Sequence, residues 1–329
     1  MLRTIHAASA AVLLTIGCST TTSEQPSTPT DLPPAATSTT ELRPVPTDLP
    51  REQTITWARD LDPCALIDRS EFESLGAVTA LGTSSNSTSC EAVVDERAQR
   101  PISVGWSIAF TPTTFLDATK RIQIDGVAVY TTDVADALPP GTRDQLVESG
   151  CEFTVPFENS IAVRMSVSME RDRNACAVGE PLVRNVLANW PDQPRQGTSP
   201  ATTVTVLTNE APCAVVARLR ASRSVAFDWA DQSLTSCFFT VDGIELLVSF
   251  DYRERGIVTI NSEPTKFGDH DGYSHIHQGT AFAQAIVGGE FGGVWSGRAS
   301  QLVPVVEVTG DDATLVSAVM TSALDLLPA

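Results

Sequence analysis

The sequence predicts an α+β protein of two tandem modules, each an antiparallel β-sheet packed with N- and C-terminal helices and stapled by disulfides. Three observations lead to this fold class. Several segments alternate apolar and polar residues with a period of two, which is typical of strands with one buried face. Each of two similar stretches of chain ends in an apolar stripe with helical spacing. Six of the seven cysteines lie in these two stretches, where part of their spacing recurs.

The composition excludes two classes of protein. With 42% hydrophobic residues in a chain of 329, there is enough apolar surface for one large core or two ordinary ones, so the chain is not purely disordered. There are 40 acidic and 22 basic residues, which give a net charge of −18, and the basic residues form no run. Because neutralisation of phosphates supplies most of the affinity for nucleic acids, we expect no nucleic-acid partner.

The first element is a predicted signal peptide over residues 1–17, in which Arg3 precedes an apolar stretch that ends in a small residue. Residues 14–18 read LTIGC and resemble a bacterial lipobox, so we expect cleavage before Cys18 and attachment of a diacylglyceryl group and further acyl chains such as palmitate to it. An ordinary signal peptide followed by a chance cysteine is the alternative. Lipidation would hold the exported protein on the outer face of the membrane.

A tether follows over residues 18–50. Ser, Thr and Pro occupy 20 of the 32 positions from 19 to 50, and large apolar side chains are few. Such a segment cannot bury enough surface to offset the entropy of ordering it, and its prolines keep it extended. We therefore expect a spacer between the lipid anchor and the folded part.

The first predicted module covers residues 51–192. A short helix begins at Pro63, and Ser70 and Glu73 have the spacing of a capping box. Strict alternation then predicts strands over residues 102–110, 151–157 and 161–167, and a helical stripe over residues 182–190 closes the module. Trp106 and Trp190 fall in the apolar register, so both are expected in the core.

A linker is predicted over residues 193–204, and a second module over residues 205–329 repeats the order of helix, antiparallel meander and helix. Asp242-Gly243 separates two alternating runs, which is a strong hairpin signal. Asp311 or Asp312 is placed to cap the final helix. Gly292-Gly293 lacks the context of a phosphate-binding loop, and we expect it in a hairpin turn.

The cysteine spacing predicts a disulfide pattern. Cys64 is followed 26 residues later by Cys90, and Cys213 is followed 24 residues later by Cys237, with proline before the first cysteine of each pair. We therefore predict Cys64–Cys90, Cys213–Cys237 and, by remainder, Cys151–Cys176. Metal or redox chemistry is the alternative, but no C-x-x-C motif occurs.

These motifs, in this order, resemble the domain-of-unknown-function 3558 lipoproteins of mycobacteria and related actinobacteria. The resemblance covers about residues 60–192, and a degenerate second copy over residues 205–328 fits at Cys213 and Cys237. It implies a cell-envelope lipoprotein and no catalytic residues. It is carried by residues 62–67 (DPCALI), Leu75-Gly76, Ser89-Cys90, residues 125–128 (DGVA) and Cys176.

One cluster, in residues 269–277, has the side-chain types of a metal-binding site. If residues 273–277 form a strand, His275 and His277 lie on the same face and could bind one zinc or copper ion, with His270 or a neighbouring aspartate as a third ligand. A polar, solvated strand face explains the same residues. All three histidines that follow the signal peptide lie within residues 270–277. No serine-hydrolase triad or other catalytic set is evident. We expect no enzyme activity and no cofactor.

Trp57 and Trp229 lie outside any apolar stripe and are the candidate contact residues. The leading hypothesis is a non-enzymatic module that binds a small molecule, a lipid or an envelope protein, in a cleft between the modules. A metal-binding protein or metal-dependent enzyme using His270, His275 and His277 is one alternative. A structural or sensory spacer in the envelope is another.

Overall fold

The structure, a computed structural model, describes residues 49–95, 100–110, 120–138, 142, 146–157 and 160–328. The predicted signal peptide, Cys18 and all of the tether before residue 49 lie outside the described residues. Both predicted modules belong to the same compact unit of the chain. In the described part of the chain, no helix has the length and apolar character needed to cross a bilayer.

In the described residues, the first sheet has seven strands, and every neighbouring pair in it is antiparallel. The strands are β1 (Val78–Thr83), β2 (Ser89–Val94), β3 (Ile102–Phe110), β4 (Lys120–Ile124), β5 (Val127–Asp133), β6 (Glu148–Pro156) and β7 (Ile161–Glu170). Their order in the sheet is β1-β2-β3-β7-β6-β5-β4.

The prediction of a simple meander was wrong at one point. After β3 the chain crosses to the far edge of the sheet and returns strand by strand, so that β7 pairs with β3. Alternation identifies a strand and its buried face, but it holds no information about which distant strand will be the neighbour.

Among its described residues, the first module has the α-helices α1 (Arg51–Arg59), α2 (Arg69–Glu73), α3 (Val134–Ala137) and α4 (Ala175–Asn189). A short 3-10 helix over Pro63–Leu66 begins where the Asp62 carboxylate accepts a hydrogen bond from the Cys64 backbone N–H at 3.0 Å. The predicted capping box was wrong, because Ser70 already lies inside α2. Glu73 instead accepts a hydrogen bond from Arg69 Nε at 2.8 Å.

The first core lies between the sheet and α4, which packs against β6 and β7. Alternate residues of β3, β6 and β7 supply its sheet side, as their periodicity predicts. Trp106 and Trp190 are both buried in it, and the Trp190 ring stacks on Phe157 with centroids 4.2 Å apart. Their predicted role in the core is confirmed.

The second sheet has eight strands in the described residues: β8 (Val225–Ala226), β9 (Ser236–Val241), β10 (Ile244–Glu254), β11 (Glu263–Phe267), β12 (His270–His277), β13 (Thr280–Ile286), β14 (Phe291–Trp295) and β15 (Arg298–Gly310). Their order is β11-β12-β13-β15-β10-β9-β8, and β14 pairs with β15 beside this path. Read from β8, this is the order of the first sheet with β14 added.

The α-helices of the second module are α5 (Ala214–Leu219), α6 (Arg255–Thr259) and α7 (Ala313–Leu324), and a short 3-10 helix covers Trp229–Asp231. Of the two candidate caps, Asp312 begins α7, because its carboxylate accepts from the Leu315 backbone N–H at 2.9 Å. The turn at Asp242-Gly243 is confirmed, with positive φ values of 51° and 89° that suit a two-residue hairpin.

The α+β fold class is confirmed by these two antiparallel sheets and their helices. The structure also contains the three predicted disulfides, Cys64–Cys90, Cys151–Cys176 and Cys213–Cys237.

Candidate functional site

The predicted linker is held along the first module by hydrogen bonds. The Asp62 carboxylate accepts from the Ser199 backbone N–H at 2.9 Å and from the Thr202 hydroxyl. The Gln196 side chain donates to the carbonyls of Leu61, at 2.8 Å, and Ser87, at 2.7 Å. These bonds fix the path of the chain between the two sheets.

A second contact joins α1 to the loop that the Cys213–Cys237 disulfide closes. Leu234, from this loop, is only 3% exposed and is part of the first core, although it belongs to the second module by sequence. Its carbonyl accepts a hydrogen bond from Arg59 Nε at 2.8 Å. Trp229, from the same loop, packs against both cores. This candidate contact residue therefore lies at the junction between the modules.

The hairpin of β14 and β15 makes a third contact, with the first sheet. Val294 is buried against Ala80 and Val93, and the Gly297 backbone N–H donates to the Glu91 carboxylate at 2.8 Å. The prediction that Gly292-Gly293 forms a turn was wrong. Both residues lie in β14, and the turn is formed by Ser296 and Gly297, whose φ values are 51° and 77°.

A cavity of about 590 Å³ lies between α1, the linker and the beginning of the second module. This volume is within the usual range for small-molecule sites. Most of its wall is one face of α1 and the residue after it, since positions three and four apart on a helix are neighbours. The lining residues are Glu52, Gln53, Thr56, Trp57, Arg59, Asp60, Arg195 and Asn209.

Trp57 supplies the aromatic surface of this wall. It is half-buried, and its ring meets that of Trp190 edge to face with centroids 6.3 Å apart. The first candidate contact residue is thus anchored on the first core and also lines the cavity between the modules.

The charged residues of the cavity wall are the exposed Glu52, one ion pair and one buried arginine. Arg195 forms an ion pair with Asp60, and both side chains are about half exposed. Arg59 differs, because it is only 5% exposed and, within the described part of the chain, its side chain makes a single hydrogen bond, to the Leu234 carbonyl. Burial lowers the pKa of its guanidinium to about 10, which Glu210 partly opposes through its charge.

Arg59, Arg195 and Asn209 were not identified from the sequence. They lie far apart in the chain and belong to no motif, so only the fold brings them together. The one sequence signal was Trp57, an aromatic residue outside any apolar stripe.

Two further cavities lie on the sheets. One of about 290 Å³ is lined by serines of the first sheet, among them Ser107 and Ser166, together with Arg164. Another of about 540 Å³ lies beside β11 and β12 and is lined by Lys266 and Tyr273, among others. The first has about half the volume of the cavity at α1, and neither is lined by Trp57 or Trp229, the candidate contact residues.

The three histidines are not brought together. All of them are in β12, but His270 lies toward the end of α7, with Nε2 3.6 Å from Asp325 Oδ1. His275 lies on the other face of the strand, where its ring stacks on Phe282 with centroids 4.6 Å apart. Among the described residues, no three His, Cys, Asp or Glu side chains are grouped to hold a metal ion. The hypothesis that His270 joins His275 and His277 as a third ligand was wrong.

A charged cluster on the second sheet was also missed. Arg253 donates to both Glu307 oxygens, at 2.8 and 3.2 Å, and to Asp251 at 2.9 Å. The three side chains are between 13% and 23% exposed. Burial holds the pKa of Asp251 above its usual value, although Arg253 acts in the opposite direction. Because two carboxylates face one guanidinium, Arg253 stabilises the cluster.

The chain matches one family model and is similar to two solved structures at low identity. A family model described as "Protein of unknown function (DUF3558)" matches residues 13–189, which is more than half of the 329 residues. No curated protein matches the chain. Two solved structures, the di-domain ARO/CYC proteins BexL of the BE-7585A biosynthetic pathway and StfQ of the steffimycin pathway, are 10% identical to it. The alignments cover 84% and 83% of this chain and 88% of each of those chains, with a TM-score of 0.16 for both.

Proposed function

The chain belongs to the DUF3558 family of proteins of unknown function, and we propose that it is a lipid-anchored protein of the outer membrane face that binds a small ligand between its two modules without transforming it. The matched residues, 13–189, include Cys18 and the whole tether. The lipobox-like residues 14–18 and the Ser-, Thr- and Pro-rich segment after them support the anchor and the spacer. An origin in mycobacteria-related actinobacteria, which the resemblance of the sequence implies, is part of this proposal.

We further propose that residues 205–328 are a second, degenerate copy of the family domain. The match ends at residue 189, at the end of α4. Support for the second copy comes from the strand order that both sheets share and from the disulfide near the start of each module. The second copy has β14 in addition, and this strand contacts the first sheet.

The observation on which the ligand-binding function depends is the cavity of about 590 Å³ beside Trp57. A cavity between two modules whose junction is fixed by hydrogen bonds is preorganised, so little ordering entropy opposes binding. A spacer would not need such a cavity.

Native mass spectrometry tests the function. The chain from Ser19 to Ala329, which retains every described residue, is exported to an oxidising compartment and weighed under native and denaturing conditions. We expect a bound mass that is lost on denaturation, and a deficit of six hydrogens for the three disulfides.

A matched pair of variants locates the ligand. Thr56 is an exposed residue of α1 that lines the cavity, so Thr56→Trp should occupy part of the volume and remove the bound mass. Ser70→Trp places the same side chain on α2, outside the cavity. This variant should retain the bound mass. Absence of bound mass in the unmodified protein, or its persistence in Thr56→Trp, would contradict the proposal.

A further inference from the structure

Arg59 is a buried cation with no carboxylate in direct contact among the described residues. Its side chain lies in the wall of the cavity, and Nε donates to the Leu234 carbonyl at 2.8 Å. Among the residues that the structure describes, no carboxylate oxygen lies within 4.0 Å of its guanidinium nitrogens. Glu210 acts on it only through its charge, from beyond that distance.

Two other arginines, one in the same cavity and one in the second sheet, are paired. Arg195, in the same cavity, lies against Asp60, and Arg253, the half-buried arginine of the second sheet, donates to Glu307. Burial of an unpaired charge is unfavourable because the protein replaces little of the solvation that water provides. The lowered pKa of Arg59, about 10, has this cause, and the group is still charged at neutral pH. The guanidinium of Arg59 therefore has no carboxylate in direct contact, and only Glu210, from farther away, partly compensates its charge.

The chemistry of a guanidinium and the other residues of the cavity wall indicate which ligand would compensate the charge of Arg59. A guanidinium pairs most strongly with carboxylate, phosphate or sulfonate oxygens, often through two parallel hydrogen bonds. Trp57 provides an aromatic surface in the same wall, and the volume suits a molecule with an apolar body as well as an anionic group.

We propose that the cavity binds an organic anion whose charged group pairs with the guanidinium of Arg59 and whose apolar body lies against Trp57. This inference rests on the proposed ligand-binding function and specifies its ligand class. The whole chain has a net charge of −18, so an anion gains nothing from the long-range field and depends on direct contact with Arg59.

Two fluorescent probes of similar shape test this. 8-Anilinonaphthalene-1-sulfonate has an anionic group and an aromatic body, whereas N-phenyl-1-naphthylamine has the body alone. Titration of the Ser19–Ala329 chain should show saturable binding of one sulfonate probe per protein, at least tenfold tighter than that of the neutral probe. Binding should be weaker in Thr56→Trp, which fills the cavity.

Variants assign the preference to Arg59. Arg59→Gln retains an N–H donor for Leu234 and removes the charge, so it should lose at least tenfold in affinity for the sulfonate and change affinity for the neutral probe less than twofold. The matched control is Arg218→Gln on α5, whose arginine pairs with Asp325 on the surface and should change neither affinity. Circular dichroism and thermal unfolding verify the fold of each variant.

The outcomes separate the two proposals. Equal affinity for both probes in the unmodified protein would overturn the anion specificity whether or not Arg59→Gln folds, and would leave ligand binding in the cavity intact. Sulfonate binding that Thr56→Trp does not weaken would overturn the site. Failure of both probes to bind, together with no bound mass in native mass spectrometry, would reject the proposed function itself.

Discussion

A charged residue contributes most to stability where it is partly buried against groups of opposite charge. Arg253, which pairs with Asp251 and Glu307, is the clearest case. Arg253→Met would leave Asp251 and Glu307 facing each other with no cation between them, so we expect a loss of about 2–3 kcal/mol in the free energy of unfolding at pH 7. Arg255→Met, two residues away, removes an exposed ion pair with Glu290. It should change the free energy of unfolding by less than about 0.5 kcal/mol. Urea denaturation of both variants measures the difference.

The loss of stability in Arg253→Met should increase with pH. Asp251 has a folded-state pKa above its usual value, so its contribution to stability is fully present below the unfolded-state pKa and is lost as pH rises through the folded-state pKa. Removal of Arg253 raises that pKa further and adds repulsion from Glu307. The difference between variant and unmodified protein should therefore be larger at pH 7 than at pH 4, and an equal difference at both would exclude this cause.

At the scale of secondary-structure elements, the β14–β15 hairpin depends on a close approach at Gly293. A Cβ atom there would lie 2.7 Å from the Thr83 carbonyl oxygen and 2.7 Å from a methyl group of Leu302, so Gly293→Ala should displace the hairpin from β1. We expect a loss of about 1–3 kcal/mol in the free energy of unfolding. A Cβ at Gly292 meets nothing within 4 Å, so Gly292→Ala is the control and should be close to neutral. Equal losses in the two variants would contradict a steric role.

The same elements show what the sequence could and could not predict. Strict alternation identified β3 and β7 and their buried faces, but their pairing depends on partners distant in sequence. Helix α1 was missed because its buried face consists of Thr54, Ile55, Ala58 and Arg59, of which only two are apolar. Trp57 was found as an aromatic residue outside a stripe, whereas Arg59 has no local signal, since its burial arises from the loop that carries Leu234.

For the whole molecule, the contacts between the modules predict a single cooperative unfolding transition. Leu234 of the second module is part of the first core, and the linker is hydrogen-bonded along the first module. Cys213–Cys237 closes the loop that carries Leu234, and by chain entropy a loop with a sequence separation of 24 stabilises the folded state by about 3 kcal/mol. Replacement of both cysteines by serine should therefore lower the stability of both modules together.

Differential scanning calorimetry of the Ser19–Ala329 chain measures this directly. We expect one transition in the unmodified protein and one, at lower temperature, in the Cys213→Ser/Cys237→Ser variant. Fluorescence of the tryptophans and far-UV circular dichroism should follow the same curve, because coincident transitions are the test of two-state unfolding. If the variant instead unfolds in two steps, with the upper step at the midpoint of the unmodified protein, the modules are independent. The cavity would then lie between two bodies free to move apart, and the preorganisation from which ligand binding is inferred would be lost.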